Sequence, residues 1–329
     1  MDRIKVAVIG CTGVGRLHAQ GTVGVEGAEL VAGCDLVPEV LEEFKKACEG
    51  ADPALYTDYR EMLEREQPDV VTVATSDHRH AELVIDAAGA GVRGVFCEKP
   101  MATGLADADR MLAACEANGT VLSVDHTRRF TPLWQHLKQE VVQGGAIGEL
   151  QYVVGVLSGQ RAALFRNGTH VIDALCYLAD GRPQWVFAEL EKGYEDYVEY
   201  RGDGGHDLAL EPAASGYLHF ENDVRAFYTS TSKKTAGPKF RFEIVGSEGI
   251  VKVEDKATLC TSDGLRDIEI HHDHSAGIPA GVRELIEVVA NGGEVSSPGR
   301  DAHAVVEVIC GFLESQRQGN RRVELPLPR

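Results

Sequence analysis

A lysine between a glutamate and a proline is the residue of this sequence best placed to do chemistry. Glu98-Lys99-Pro100 follows the apolar run Val95–Cys97, which is typical of a buried strand. Side chains at the carboxyl end of a parallel strand point into the crevice where such sheets bind ligands, and the proline disfavours helical geometry at Lys99. A free lysine amine has a pKa of about 10.4, so acid–base work near neutral pH requires burial or a nearby positive charge. Lys99 is therefore a candidate acid–base residue; a surface lysine at a strand end is the alternative.

A glycine-containing turn near the N-terminus is suited to binding phosphate. It lies between the strand-like run Lys5–Ile9 and a helical pattern, and its residues are Gly10-Cys11-Thr12-Gly13-Val14-Gly15. In a dinucleotide-binding fold the first turn of this kind holds the pyrophosphate against the start of a helix. The strict G-x-G-x-x-G pattern is not met, because Thr12 stands where the second glycine is expected, and its hydroxyl is a candidate phosphate contact. A simple tight turn between strand and helix is the alternative.

An aspartate at the end of the second predicted strand has the spacing of a ribose ligand. Asp35 follows Gly15 by about 20 residues. Its carboxylate can accept hydrogen bonds from the adenosine ribose hydroxyls and should repel a 2′-phosphate, so we expect NAD to be preferred over NADP. The alternative makes Asp35 a cap for the helix that begins near Pro38.

The elements that position these residues form two regions. From Ile4 to Asp125, short β-branched runs alternate with helical patterns, which predicts a parallel sheet with crossover helices. The strand-like runs are Lys5–Ile9, Glu29–Cys34, Leu55–Tyr56, Val70–Ala74, Gly94–Cys97 and Val121–Val124. We predict an α/β protein whose residues 1–125 form a Rossmann domain, a doubly wound parallel sheet that binds NAD.

The rhythm changes after Phe130, where strand-like runs follow one another without intervening helices. The runs after the helical pattern at His170 are Gln184–Leu190, Ser215–Phe220, Val224–Thr229, Phe240–Val245, Ile250–Val253 and Asp267–His271. This order predicts an α+β domain over residues 126–329, with a large, mostly antiparallel open sheet. Two helical patterns, Val282–Ala290 and Ala302–Gln316, close that domain in this interpretation.

Several short motifs together resemble the Gfo/Idh/MocA family, named for glucose-fructose oxidoreductase and inositol dehydrogenase. The matching residues are Ala74-Thr75-Ser76, His80, Glu98-Lys99-Pro100, Arg129-Phe130, Pro132, Gly145, Ile147-Gly148, His170-Val171-Ile172-Asp173, Gly246-Ser247-Glu248-Gly249 and Leu325-Pro326-Leu327. The resemblance covers nearly the whole chain. It implies an NAD(P)-binding Rossmann domain, with Thr75, Ser76, His80 and Glu98 joining the glycine turn, Asp35 and Lys99 as cofactor-binding residues.

The resemblance also implies that His170 acts with Lys99 on the hydroxyl proton of a substrate. Many relatives carry an aspartate four residues before this histidine, whereas this chain has Arg166, followed by Asn167. Two replacements are open. Asp173, three residues after His170 on a predicted helix, could orient the imidazole; alternatively Arg166 or Asn167 could bind substrate oxygens directly.

The function that the resemblance implies is hydride transfer between nicotinamide and a secondary alcohol or ketone of a sugar, inositol or related polyol. His126 and Thr127 follow the last Rossmann strand and are further candidates to line the substrate pocket. Two other functions stay open at this point. One is a glycosidase that uses NAD transiently, and the other is a ligand sensor of the same fold that performs no chemistry.

Composition narrows the range of partners and locations. Lys and Arg total 33 against 51 Asp and Glu, a formal net charge of −18, which disfavours nucleic acid. No apolar run approaches the ~18 residues of a membrane span, and the eight scattered cysteines and the missing signal-peptide pattern favour the cytoplasm. We expect a homodimer or homotetramer formed through the open sheet. His271-His272-Asp273-His274 resembles a metal cluster, but a strand end is the favoured interpretation, and no metal is expected.

Overall fold

A computed structural model describes residues 3–204, 206–233, 237–269 and 276–329. The histidine-rich segment at 271–274, which we interpreted as a strand end, lies outside these residues. The chain divides into two compact units. Among the described residues, none of the helices combines the length and the apolar character that crossing a bilayer requires.

The first unit contains a six-stranded sheet in the order β3-β2-β1-β4-β5-β6, and every pair of neighbouring strands is parallel. The strands are β1 (Ile4–Ile9), β2 (Ala28–Cys34), β3 (Ala54–Tyr56), β4 (Val70–Val73), β5 (Gly94–Cys97) and β6 (Val121–Val124). The helices between them are α1 (Gly13–Thr22), α2 (Pro38–Ala47), α3 (Tyr59–Glu66), α4 (His80–Gly89) and α5 (Leu105–Asn118). The strand order reverses between β1 and β4, and at such a switch point the carboxyl ends of the strands form a binding crevice. The predicted doubly wound sheet is confirmed.

The second unit contains a nine-stranded sheet in the order β14-β13-β12-β11-β7-β10-β9-β8-β15. Its elements are α6 (Pro132–His136), β7 (Leu150–Ser158), α7 (Thr169–Ala179), β8 (Pro183–Leu190), β9 (Ala214–Phe220), β10 (Arg225–Thr231), β11 (Phe240–Gly246), β12 (Gly249–Val253), β13 (Ala257–Thr261) and β14 (Gly264–Asp267). They are followed by α8 (Ile278–Asn291), α9 (Gly299–Arg317) and β15 (Val323–Glu324). β7 and β10 are parallel and the other pairs are antiparallel, which confirms the predicted sheet.

The helix α8 belongs to the first unit, although the sequence interpretation placed it in the second. The first unit contains the described residues 3–102, 106–131 and 276–302. The reason is the apolar face of α8, on which Val282, Leu285 and Ile286 are buried with Val6 and Val70 of the parallel sheet. The predicted change of unit at residue 126 lies close to the first crossing, but the later return of the chain was not anticipated.

The hairpin of β13 and β14 was also missed. We predicted a strand over Asp267–His271, whereas β14 ends at Asp267 and residues 268–269 are outside any strand. All four residues of β14 are exposed, so this strand lacks the apolar alternation that marks a half-buried strand.

One face of the nine-stranded sheet is covered and the other carries aromatic side chains. On the covered face, α7 approaches so closely that a Cβ on Gly155 of β7 would lie 2.5 Å from Val171 Cγ1. On the other face, the ring centroids of Trp185 and Tyr217 are 4.9 Å apart and those of Phe187 and Tyr217 are 5.4 Å apart. Phe187 is 43% exposed and Phe227 is 38% exposed. We call these four residues the aromatic face.

Candidate functional site

The glycine turn is shaped by close backbone contacts at two of its three glycines. Gly10 has φ +89°, and a Cβ there would lie 2.3 Å from the carbonyl oxygen of Ala74. A Cβ on Gly15 would lie 1.8 Å from the carbonyl oxygen of Gly10. At Gly13, by contrast, no described atom lies within 4 Å of the Cβ position. Gly10 and Gly15 are therefore required by the fold itself, whereas Gly13 faces open space.

The same turn leads into the uncapped start of α1. The helix begins at Gly13, and the Thr12 side chain at the cap position makes no capping hydrogen bond. No acidic residue occupies the first turn, and the first N–H groups of an α-helix have no acceptor within the helix. Thr12 and Val14 are exposed, while the Cys11 side chain is buried. The Cys11 side chain therefore does not face a ligand here, whereas the first N–H groups of α1 suit a phosphate.

The Asp35 carboxylate is attached to this turn. Its Oδ2 accepts a hydrogen bond of 2.9 Å from the Cys11 N–H, and its Oδ1 accepts one of 3.0 Å from the Val37 N–H. Val37 is the residue before α2, so Asp35 closes a turn ahead of this helix, and no described side chain caps the helix itself. Each carboxylate oxygen has a second lone pair, so a ribose contact is compatible with these bonds.

The residues that follow β4 are held by a buried histidine. His80 is fully buried, with Nδ1 2.8 Å from the Pro100 carbonyl oxygen and Nε2 3.3 Å from the Thr75 carbonyl oxygen. It joins the segment after β4 to the segment after β5. The Thr75 hydroxyl oxygen is buried and has no hydrogen-bond partner among the described residues, while Ser76 is half-buried beside it. His80 therefore positions this edge, and Thr75 offers a polar atom to a ligand.

Lys99 is half-buried at the end of β5, next to an interior cluster of polar groups. The Lys99 backbone N–H donates a hydrogen bond of 3.3 Å to Glu98 Oε2. The other carboxylate oxygen, Glu98 Oε1, lies 3.4 Å from Nε2 of the fully buried His18. Asp125, which follows β6, is 1% exposed and accepts a hydrogen bond of 3.2 Å from the Thr127 hydroxyl. A ring nitrogen of His18 and one carboxylate oxygen from each of Glu98 and Asp125 all lie within 4.8 Å of one another.

The pKa values of the two buried carboxyl groups, Glu98 and Asp125, are shifted in opposite directions. Burial alone raises the pKa of Glu98, but hydrogen bonds from His18 and Asp125 and the charge of Lys99 hold it below its usual value. Burial and the neighbouring Glu98 raise the pKa of Asp125 well above its usual value. These opposite shifts favour the carboxylate form of Glu98 and the acid form of Asp125.

Sequence reasoning found Glu98 and Lys99 but missed His18 and Asp125. Asp125 could have been found, because it follows a parallel strand at the same edge as Lys99. His18 could not, since a polar residue on an amphipathic helix gives no sign that it faces inward. His126, which we placed in the pocket, is 1% exposed, and the Thr127 hydroxyl bonds to Asp125.

The second unit carries the remaining candidates around the start of α7. His170 is half-buried and Asp173, on the same helix, is 1% exposed. Arg166 donates to the Gly204 carbonyl oxygen, and the Asn167 amide donates to the Arg161 carbonyl oxygen at 2.6 Å. Both side chains that replace the family aspartate are therefore anchored to backbone within their own unit.

Comparison with models of protein families identifies the family of this chain. A model of an oxidoreductase family with an NAD-binding Rossmann fold matches residues 4–126, and a model of the GFO/IDH/MocA C-terminal domain matches residues 134–252. The chain belongs to the GFO/IDH/MocA family. The resemblance noted from the motifs is confirmed, as is the prediction of an NAD-binding oxidoreductase.

Individual relatives agree with this family. The chain is 30% identical to D-apiose dehydrogenase of Paraburkholderia graminis, over 99% of this chain and 90% of the relative. It is also 30% identical to myo-inositol 2-dehydrogenase of Thermotoga maritima, over 80% of each protein. Its fold is similar to that of levoglucosan dehydrogenase solved with NADH and levoglucosan, with a TM-score of 0.84 and 21% identity over 99% of this chain and 100% of that one.

Proposed function

We propose that this protein is an NAD-dependent dehydrogenase that oxidises a secondary alcohol of a sugar, inositol or related polyol, or reduces the corresponding ketone. The observation that carries the proposal is the position of Lys99 at the carboxyl edge of the parallel sheet, where its charge acts on the carboxyl group of the preceding residue, Glu98. The glycine turn occupies the same edge, two strands away in the sheet. The named activities of the two sequence relatives, on apiose and on myo-inositol, support the polyol class.

The residues of the first unit fit a dinucleotide. The open side of Gly13 lets a pyrophosphate approach the backbone at the start of α1, and the buried Thr75 hydroxyl has an unused hydrogen-bonding capacity. Asp35 would bind the adenosine ribose and disfavour a 2′-phosphate, so the proposed cofactor is NAD rather than NADP. Gly10, Gly15 and His80 shape this site, whereas Thr12, Gly13, Val14 and Ser76 line it.

Lys99 manages the hydroxyl proton in this proposal. When bound, nicotinamide supplies the carbon that accepts or donates the hydride. Lys99 as a neutral amine takes the proton of the alcohol during oxidation, and the resulting ammonium is stabilised by the Glu98 carboxylate. In the reduction direction the same ammonium returns the proton to the oxygen.

His170 is proposed as the second proton-handling group, with Asp173 as its orienting partner. Asp173 lies three residues later on α7, and that spacing places two side chains on one helix face. Arg166 and Asn167 already bind backbone carbonyls. Their proposed role is to shape the part of the substrate site that the second unit contributes.

The test is a screen for NAD reduction over inositols, hexoses, uronic acids and amino sugars, paired with NADH oxidation over keto-sugars. We expect stoichiometric NADH to accumulate with at least one polyol. Product formation without net NADH would instead support the glycosidase, and binding of a polyol without turnover would support the sensor.

We also propose that the aromatic face joins two copies of this chain. An exposed cluster of aromatic side chains on an open sheet is more apolar than the surface of a typical monomer, and association with an identical face would cover it. The expected assembly is a homodimer or homotetramer.

A further inference from the structure

Two carboxyl groups meet in the interior of the first unit, at the ends of neighbouring parallel strands. Glu98 follows β5 and its side chain is 12% exposed, and Asp125 follows β6 and is 1% exposed. A carboxylate oxygen of each residue lies within 4.8 Å of the other and of a ring nitrogen of His18. Two ionised carboxylates at this separation, away from water, repel each other and lose their hydration. The pair is therefore expected to hold a proton.

The hydrogen-bond donors around the pair decide which oxygen carries that proton. Glu98 Oε1 faces His18 Nε2 at 3.4 Å, and Oε2 accepts the Lys99 N–H at 3.3 Å. Nδ1 of His18 is buried without a partner among the described residues. Because a buried N–H without an acceptor is costly, the hydrogen-bond geometry fits a proton on Nε2, which faces the carboxylate. Glu98 thus receives donors at both oxygens, as an ionised carboxylate does.

The other titratable groups around the pair are Cys97, Asp77 and Lys99, together with His18, whose charge also acts on Glu98. Cys97 precedes Glu98, and burial raises the pKa of its thiol well above the usual value, so the thiol is neutral. The negative charge of Asp77, in the segment after β4, contributes to the raised pKa of the Cys97 thiol. The Thr127 hydroxyl donates to Asp125. Lys99 is the positive group that acts on both carboxyls.

We infer that Asp125 is protonated at neutral pH and donates a hydrogen bond to Glu98, so that the pair presents a single negative charge beside Lys99. This inference rests on the proposed function for its meaning, because Lys99 is the acid–base group of that proposal. A second carboxylate would hold Lys99 as an ammonium and prevent it from accepting the proton of an alcohol. Asp125 is therefore a positioning residue, which acts on Lys99 through Glu98.

The protonation state is tested directly by isotope-edited infrared spectroscopy of the full chain with labelled aspartate. At neutral pH we expect a carbonyl stretch from a protonated aspartic acid. It is lost in Asp125→Asn and kept in Asp77→Asn, which removes another buried acid. The wild-type spectrum is informative even if a variant fails to fold, and absence of the band overturns the inference.

The charge beside Lys99 is tested by the pH dependence of its acetylation with acetic anhydride, followed by mass spectrometry of the Lys99 peptide. In Glu98→Gln alone, Asp125 would ionise in place of Glu98, because the Glu98 charge no longer raises its pKa. The negative charge is therefore removed in the double variant Glu98→Gln with Asp125→Asn, where the midpoint of Lys99 reactivity should move to lower pH by on the order of one unit. Asp125→Asn alone replaces a neutral group with a neutral group, and the midpoint should stay near that of the wild type. A shift in Asp125→Asn alone as large as that in the double variant overturns the inference.

A divalent cation is the competing way to hold two buried carboxylates next to a histidine. Elemental analysis of the purified protein that finds one tightly held ion per chain overturns the shared proton. Failure of the proposed function would give a different set of experimental results from failure of this inference. In that case Lys99→Ala retains turnover, or no polyol is oxidised, while the infrared band and the acetylation midpoints still report the state of the pair.

Discussion

Lys99 and Asp35 occupy opposite parts of the first unit's binding edge, and each carries one part of the proposed chemistry. Lys99 lies beside an ionised carboxylate at the end of β5. Asp35 is tied by its two oxygens to the glycine turn and to the segment before α2. The reacting end and the ribose end can therefore be tested separately.

Replacing Lys99 by alanine should lower kcat by about a hundredfold to a thousandfold, because a single proton donor or base contributes about that much. NADH affinity should change far less. The measurement is steady-state kinetics on the polyol found in the screen, with Lys46→Ala, an exposed lysine, as the matched control. Near wild-type turnover in Lys99→Ala would contradict its role.

Replacing Asp35 by serine should narrow the preference for NADH over NADPH by about tenfold, since the repulsion of the 2′-phosphate is lost. The ratio of the two dissociation constants, measured by fluorescence titration, is the informative quantity, because the variant also loses two backbone hydrogen bonds. Asp52→Ser, at an exposed position, should leave the ratio unchanged. A wild-type preference for NADPH would refute the assignment.

Asp125→Asn should become more stable relative to the wild type as the pH rises from about 4 toward neutral. The pKa of Asp125 is raised in the folded state, so above the unfolded-state pKa the wild type must bind a proton to fold, and the amide need not. The difference in unfolding free energy should grow by about 1.4 kcal/mol per pH unit. Chemical denaturation at several pH values measures it, and a pH-independent difference would show that Asp125 is ionised.

The turn between β1 and α1 shows how one short element combines a requirement of folding with one of binding. Gly10 and Gly15 are glycines because backbone atoms of the same turn or of β4's end occupy the space of a Cβ. Gly13 meets no such atom. Gly10 and Gly15 are therefore required for folding, whereas Gly13 is not, although the three glycines look alike in the sequence.

Gly15→Ala should destabilise the protein by about 2 kcal/mol or more, because its Cβ would overlap the Gly10 carbonyl oxygen and the helix would have to move. Gly13→Ala should leave stability equal or slightly higher, since alanine favours the helix, but should weaken NADH binding by at least about tenfold. Chemical denaturation and NADH titration on both variants separate the two effects. Equal losses of NADH affinity and stability in Gly13→Ala would show that this residue, too, serves the fold.

At the scale of the whole molecule, the chain combines a parallel sheet with a larger open sheet, and each has its own core. The parallel sheet is buried on both faces, as its fully apolar strands require. The nine-stranded sheet leaves the aromatic face exposed. A partner surface for that face is the expected consequence.

Phe187→Glu should shift the protein toward the monomer, because a buried charge in an apolar interface is unfavourable. Sedimentation velocity measures the change. Leu265→Glu is the matched control, since Leu265 is 74% exposed on β14 and outside the aromatic face. A wild-type protein that is monomeric at all concentrations would contradict the proposed assembly.

The sequence by itself determined the order of strands and helices from β1 to β6 and placed the glycine turn, Asp35 and Lys99 at strand ends. These follow from local signals, since buried strands are continuous apolar runs and binding residues occur just after them. The motifs around Lys99 and His170 were enough to indicate the family. Alternating strand patterns likewise predicted most of the second sheet.

Only the tertiary structure decided which distant residues meet. The buried cluster of His18, Glu98 and Asp125 draws on one helix and two strands, and nothing in the local pattern of α1 marks His18 as inward-facing. The return of α8 to the first unit likewise depends on the apolar face that it shares with Val6 and Val70. The charge state of a buried group and the side chains that it contacts depend on how distant segments pack together. The order of residues along the chain does not contain that information.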